Sequence, residues 1–291
     1  MPFPAAEVGL ELQPFEKSMT VRDVLAYAAG LGATESAFLD DLKPGGLRAL
    51  PFQCVSLEWP CILSVRGALS AALSPEEARR GVHALQDSIF HRPIRAGDHL
   101  VTDGRIVSAR RIRAGVLIVC KLETRDQIGG AAVTTSWSTS IYRDVALEGD
   151  DATLEAPPEG AAAASQPLPP DAPAVGIPIA RNAPHVYSEC ADIWNPIHTE
   201  RAVALAAGLP DIILHGTATW ALAGLTILRC CADHDVGRLR RLSGRFTGMV
   251  IPGEDITVRY ATGPEGLVRF DVLNGSGKTA ISDGAAWVDA P

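Results

Sequence analysis

The sequence lacks the cysteine patterns that indicate a metal site or a disulfide framework. None of its six cysteines forms a Cys-x-x-Cys pair, and no group of histidines and cysteines has the spacing of a zinc site. Two of the six, Cys230 and Cys231, are adjacent, which argues against a disulfide framework. We therefore expect reduced, buried thiols and no bound metal.

Long hydrophobic runs and an excess of positive charge are also missing. No uninterrupted apolar run reaches the ~18 residues that suggest a membrane span. The first residues do not show the basic-then-apolar order of a signal peptide. With a net charge of −8, broad attraction to nucleic acid or to an anionic membrane is not expected. These absences predict a cytoplasmic protein in which a local basic patch would have to meet any anionic ligand.

The length and composition of the chain allow two domains. It has 291 residues, of which 47% are hydrophobic, enough for sizeable packed cores. Residues 146–176 are rich in proline and alanine, which predicts a semi-extended linker. This linker would separate an N-terminal domain, residues 1–145, from a C-terminal domain, residues 177–291.

Each half shows helices first and strands afterwards. The apolar spacing predicts helices at residues 20–32, 62–73, 199–207 and 216–230. Residues 37–60 look loop-dominated because they are rich in proline, glycine and aspartate. Strand-like runs lie at about 82–92, 98–110, 114–125 and 131–143, and again at about 238–249, 254–262, 266–274 and 278–288. The two halves therefore form a faint internal repeat of element order.

Two segments of the second half can carry chemistry. The segment 187–200 holds Asp192, Asn195 and His198 within seven residues. A carboxylate and an imidazole can work as general acid and base. Farther along, Gly216 opens an apolar helix, and a backbone N–H at a helix N-terminus can polarise a carbonyl group. We expect these two segments to lie close together in the fold.

The helix at 216–230 is apolar on nearly every face, so it must be wrapped, most simply by a curved sheet. Two such units in one chain resemble a double hot-dog protein, an α+β fold in which each half is an antiparallel sheet around a central helix. Asn195-Pro-Ile-His198 and Leu214-His-Gly216 resemble the hydratase-2 motif of MaoC-like (R)-specific enoyl-CoA hydratases and dehydratases. The resemblance covers about residues 180–288 and is fainter over 1–145.

The resemblance implies reversible hydration of an enoyl thioester. Asp192 and His198 would activate water and move the proton, and Asn195 would orient the water or the acid. The N–H of Gly216 would stabilise negative charge on the thioester oxygen. The N-terminal half would hold the acyl chain. The implied partner is an acyl-CoA or an acyl-carrier thioester, with no cofactor apart from the coenzyme A of the substrate, and a homodimer is possible.

The acid position departs from the family motif. The family places its acid two residues before the asparagine, whereas Asp192 lies three residues before Asn195 and six before His198. Aligned without a gap, Ile193 takes the acid position and Asp192 takes the position of a glycine. We expect a one-residue bulge to return Asp192 to the site; otherwise His198 acts alone or with an acid from elsewhere.

Basic residues cluster before and within a predicted strand of the second half. Arg240, Arg241 and Arg245, close to Arg238, are candidates for contact with the phosphates of coenzyme A. In an extended run, Arg240 and Arg241 point to opposite faces, so the whole cluster cannot touch one ligand. A solvated strand face is the simpler interpretation.

Two other functions stay open. A hot-dog thioesterase would need an acid near the central helix, and the helix at 216–230 has no carboxylate. A non-catalytic subunit that binds acyl thioesters or serves in assembly is favoured by the displaced Asp192.

Overall fold

A computed structural model describes residues 2–43, 45–69, 73–158 and 166–291. Its helices are α1 (Val21–Gly30), α2 (Ser36–Leu39), α3 (Cys54–Leu69), α4 (Pro75–Arg79), α5 (Ala183–Ala191), α6 (Arg201–Ala206) and α7 (Gly216–Cys231). Its strands are β1 (Phe3–Pro4), β2 (Phe15–Ser18), β3 (Gly81–Phe90), β4 (His99–Ile112), β5 (Gly115–Asp126), β6 (Ala132–Arg143), β7 (Leu147–Glu148), β8 (Ala152–Thr153), β9 (Ala174–Pro178), β10 (Leu239–Phe246), β11 (Asp255–Thr262), β12 (Leu267–Leu273) and β13 (Thr279–Val288).

One continuous sheet joins the two halves of the chain. In the part of the chain that the structure describes it has 11 strands, in the order β2-β4-β5-β6-β3-β10-β13-β12-β11-β9, with β8 beside β4. Each pair of neighbouring strands in this sheet runs antiparallel. The halves meet where β3 pairs with β10, with Ser88 opposite Leu242. Side chains of the two halves can therefore reach each other across this central pair of strands.

Each half wraps its sheet around one long helix, α3 in the first half and α7 in the second. Helix α7 is buried from Ala218 to Leu228, as its apolar sequence predicts, and the Trp220 side chain is completely enclosed. Gly224 lets α7 approach the first half closely, because a Cβ there would lie 2.6 Å from the ring of Phe52. The two central helices thus share one packed interior.

The helices α1 and α5, one from each half of the chain, pack against each other. A Cβ on Gly30 would lie 2.6 Å from the Cβ of Cys190, so only glycine allows this approach. The buried hydroxyl groups of Tyr27 and Tyr187 lie 3.3 Å apart at the same interface. The segment that carries the candidate site is therefore held against the N-terminal half.

The predicted architecture, an antiparallel sheet around a central helix in each half, is confirmed. One local prediction was wrong, because α3 already begins at Cys54, inside the expected loop. Helix α5 was not predicted. Short strands, β7 and β8, occupy the start of the expected linker, and its Ala161–Ala164 run lies outside the described residues. The linker itself and the domain borders stay predictions. Among the described helices, none combines the length and apolar composition needed to cross a membrane.

Candidate active site

The start of helix α7 forms one side of the candidate site. The N–H of Leu214 donates to the carbonyl of Val250 at 2.9 Å, which fixes the chain just before the helix. Gly216 is the first residue of α7, and the N–H groups of a first helical turn have no acceptor within the helix. A Cβ at Gly216 would lie 3.2 Å from the ring of Phe246, so a residue without a side chain fits best. This end of α7 can stabilise negative charge.

His198 ends a short 3-10 helix, Pro196–His198, and its ring is buried beside the start of α7. The extended backbone of Asn195 precedes the proline, as X-Pro sterics require, and its carbonyl accepts the N–H of His198 at 3.0 Å. The His198 Nδ1 lies 2.8 Å from the carbonyl oxygen of Ile213. A carbonyl only accepts, so Nδ1 carries a proton, and Nε2 has the lone pair when the ring is neutral. That tautomer has the form of a general base.

The imidazole rings of His198 and His215 stack on each other. Their centroids are 3.7 Å apart and their planes are inclined by 26°. The Oγ of Ser188 lies 3.1 Å from Nε2 of His215. Burial, followed by the neighbouring His198, lowers the pKa of His215 to about 2, so this ring is neutral at any physiological pH. Because His215 directly precedes Gly216, the two predicted segments do lie side by side.

Asp192 lies apart from this pair of rings. It follows the last residue of α5 in the left-handed conformation, with φ 55° and ψ 38°. Its side chain is 82% exposed, and a carboxylate oxygen lies 3.9 Å from Nζ of Lys17 in the N-terminal half. Ile193, the next residue, is buried in the core. Asp192 therefore takes the place of the glycine in the family motif. The one-residue bulge that was expected to turn its carboxylate toward His198 is not present in the structure.

The carboxylate of Asp192 instead faces a narrow cavity between the two halves. The cavity is lined by Lys17, Asp23 and Gln53 from the first half, the last of these just before α3. Lys17 also lies 3.1 Å from Asp23, so one ammonium group pairs with two carboxylates. Exposed ion pairs of this kind contribute little to stability.

The arginines of β10 divide between solvent and interior. Arg240 is exposed and Arg241 is buried, as alternation along an extended strand predicts. The guanidinium of Arg241 donates to both carboxylate oxygens of Asp87, at 2.8 and 2.6 Å. It also lies 4.5 Å from the ring centre of Trp287. This buried, bidentate pairing is at odds with the phosphate contact predicted for Arg241.

Arg240 and Arg245 both remain accessible to a ligand. Arg240 lies 3.7 Å from Asp289, and Arg245 lies 3.2 Å from Asp283. Both arginines are substantially exposed, so a phosphate can compete with these carboxylates. In the part of the chain that the structure describes, no cluster of three or more His, Cys, Asp or Glu side chains could hold a metal ion.

A buried carboxylate in the first half was missed by the sequence analysis. Glu58, on α3, is only 4% exposed. It accepts hydrogen bonds from Ser136 Oγ at 2.5 Å and from Gln86 Nε2 at 3.0 Å. Burial raises its pKa, while these hydrogen bonds oppose the rise. The sequence feature that could have revealed this buried carboxylate is a glutamate inside an otherwise apolar stretch.

An antiparallel sheet wrapped around a central helix, twice in one chain, defines the double hot-dog class. Residues 175–277 match the MaoC like domain, and residues 6–135 match the FAS1-like dehydratase domain region. The chain is 28% identical to an enoyl-CoA hydratase of Mycobacterium tuberculosis, with 97% of each chain covered. The fold of a MaoC-like dehydratase from Phytophthora capsici superposes with a TM-score of 0.83 over 98% of each chain, at 19% identity. The chain therefore has the double hot-dog fold, and its second half carries a match to the MaoC like domain.

One further match is short. A fatty acid synthase subunit beta from Aspergillus oryzae is 43% identical over 25% of this chain. The chain spans only 4% of that subunit. This match therefore concerns a single region of a much larger protein.

Proposed function

We propose that the protein catalyses the reversible hydration of an enoyl thioester to a 3-hydroxyacyl thioester. The observation that carries the proposal is the position of the His198 ring, which is fixed at Nδ1 by a carbonyl and stacks on the residue that precedes Gly216. A base and an oxyanion donor are the two groups that this reaction needs. The names of the related hydratase and dehydratases support the same reaction class.

In the proposed reaction, water attacks C3 of the enoyl group while Nε2 of His198 accepts one of its protons. The electron pair of the double bond moves toward the thioester oxygen, which becomes negatively charged. The N–H of Gly216 and the positive end of α7 stabilise that charge. The protonated His198 then gives its proton to C2 as the electron pair returns from the oxygen to that carbon, so water has been added across the double bond and His198 is regenerated. Dehydration follows the same steps in reverse.

The other candidate residues have supporting roles in this proposal. The amide of Asn195 would orient the water. The exposed Arg240 and Arg245 would meet the phosphates of a coenzyme A or phosphopantetheine carrier. Asp192 could act as the acid only if its carboxylate left Lys17 and turned inward. With Asp192 in its present place, His198 handles the proton alone.

The test is a panel of enoyl-CoA substrates followed by the loss of the enoyl-thioester absorbance. We expect turnover by the native chain. His198→Ala should lower kcat by about 10² or more because the general base is removed. His99→Gln is the matched control, since His99 is exposed and lies in β4, and it should leave kcat unchanged. Turnover of His198→Ala at the native rate would refute the assignment.

A second candidate is a non-catalytic subunit that binds acyl thioesters. The outward-facing Asp192 favours it, because a site without its acid can still hold a ligand. This candidate predicts saturable binding of an enoyl-CoA with no loss of absorbance. The thioesterase alternative predicts the release of free thiol in the same assay, which neither hydration nor binding alone would produce. We expect none, because Glu58, the buried carboxylate on α3, is sealed from substrate.

A further inference from the structure

His215 has contacts on three sides that a simple packing residue at a helix N-terminus does not need. One ring face lies 3.7 Å from the centre of the His198 ring. The ring of Tyr187 lies 5.0 Å away, inclined by 56°. The hydroxyl of Ser188 lies 3.1 Å from Nε2. Two consecutive residues of α5 therefore hold the imidazole that supports the base.

We propose that His215 is a positioning residue that fixes the ring plane of His198 by stacking while itself remaining uncharged. The inference rests on the proposed function, because it assigns a role in that same site. His198 is held at one edge by the carbonyl of Ile213 and on one face by His215. An edge contact alone permits rotation about the hydrogen bond. A stacked ring removes that freedom and directs Nε2 to one place.

The surroundings of His215 explain why it stays neutral. The titratable groups that face it are the imidazole of His198 and the phenol of Tyr187 from α5. Burial raises the pKa of Tyr187 to about 12, so the phenol carries no charge near neutrality. No carboxylate is among the described contacts of His215. A backbone hydrogen bond at Ile193 favours the imidazolium, but burial and the neighbouring His198 outweigh it.

Neutrality of His215 matters when His198 takes up a proton. The imidazolium that forms then lies against an uncharged π face, an arrangement that attracts a cation. A second imidazolium at 3.7 Å would instead repel it and lower the proton affinity of the base. The pair therefore confines the proton to His198, the ring that can reach the substrate.

Two substitutions separate stacking from hydrogen bonding. His215→Phe keeps a flat, neutral ring but loses the bond to Ser188. His215→Gln keeps a polar group for Ser188 but loses the ring. We expect His215→Gln to lower kcat about ten- to a hundredfold with little change in KM, the effect of a misplaced base. His215→Phe should retain kcat within about threefold, and the control His99→Gln should match the native chain.

A titration by NMR of the labelled imidazoles gives a readout that does not depend on turnover. In the native chain, His215 should not titrate between about pH 5 and 9, because its pKa is lowered to about 2. Thermal unfolding of each variant checks that it folds.

Three results would overturn the proposal: titration of His215 in that range, native kcat in His215→Gln, or equal losses in the Gln and Phe variants. A native chain that hydrates no enoyl thioester would refute the proposed function instead. The titration would then still decide whether His215 stays neutral beside His198.

Discussion

Replacing Glu58 by glutamine should stabilise the folded protein at neutral and alkaline pH. The carboxyl group is buried on α3 and accepts hydrogen bonds from Ser136 and Gln86. Burial is the largest influence on its pKa and raises it above the ordinary value of 4.5. Glutamine has nearly the same shape and cannot ionise. The side-chain amide of Gln86 can turn to offer its oxygen to the new amide group.

The direction of the pH dependence follows from the raised pKa of Glu58. Between the unfolded and folded pKa values, the folded chain holds a proton that the unfolded chain releases. The stability contributed by neutral Glu58 is therefore complete below about pH 4.5 and is lost as the pH rises through the folded pKa. Each unit of elevation corresponds to about 1.4 kcal/mol. The advantage of Glu58→Gln should therefore be smallest near pH 4.5 and should grow as the pH rises toward 8.

Urea unfolding followed by tryptophan fluorescence at several pH values measures this difference. Glu16→Gln is the matched control, because Glu16 is exposed on β2 and should show no pH-dependent advantage. Lower stability of Glu58→Gln than of the native chain at pH 8, or an advantage that does not change with pH, would contradict this prediction.

Two further predictions concern charged side chains. Arg241→Met should destabilise the chain by about 3–5 kcal/mol, because it leaves the buried carboxylate of Asp87 without its bidentate partner. Urea unfolding measures this loss, and a change below about 1 kcal/mol would mean that the pair is not buried in solution. Asp192→Asn should leave hydration of an enoyl-CoA within about threefold of the native rate, since its carboxylate faces Lys17. A loss of about 10² would show that Asp192 turns inward during turnover.

Much of the fold was predictable because its determinants are local. The apolar faces of α7 and the alternating strands lie in contiguous sequence, and their predicted positions agree with the structure to within a few residues. The start of α3 was missed because Pro60, which normally ends or kinks a helix, lies inside it. Helix α5 was missed because packing against α1, through Gly30 and Cys190, stabilises it rather than its own sequence.

The candidate site was predictable only in part, because some of its contacts are set by neighbouring residues and others by residues far apart in the sequence. His198 and Gly216 each belong to a short motif, so their local geometry follows from neighbouring residues. The direction of the Asp192 side chain depends on a left-handed residue at the end of α5, which spacing alone does not reveal. The pairing of Arg241 with Asp87 joins strands far apart in the sequence, so no local pattern predicts it.

A crystal structure with a bound 3-hydroxyacyl-CoA tests the central claim most directly. We expect the thioester oxygen to lie about 3 Å from the Gly216 nitrogen and the C3 hydroxyl to lie at a similar distance from Nε2 of His198. A thioester bound in the cavity beside Lys17 and Asp192, away from both groups, would contradict it.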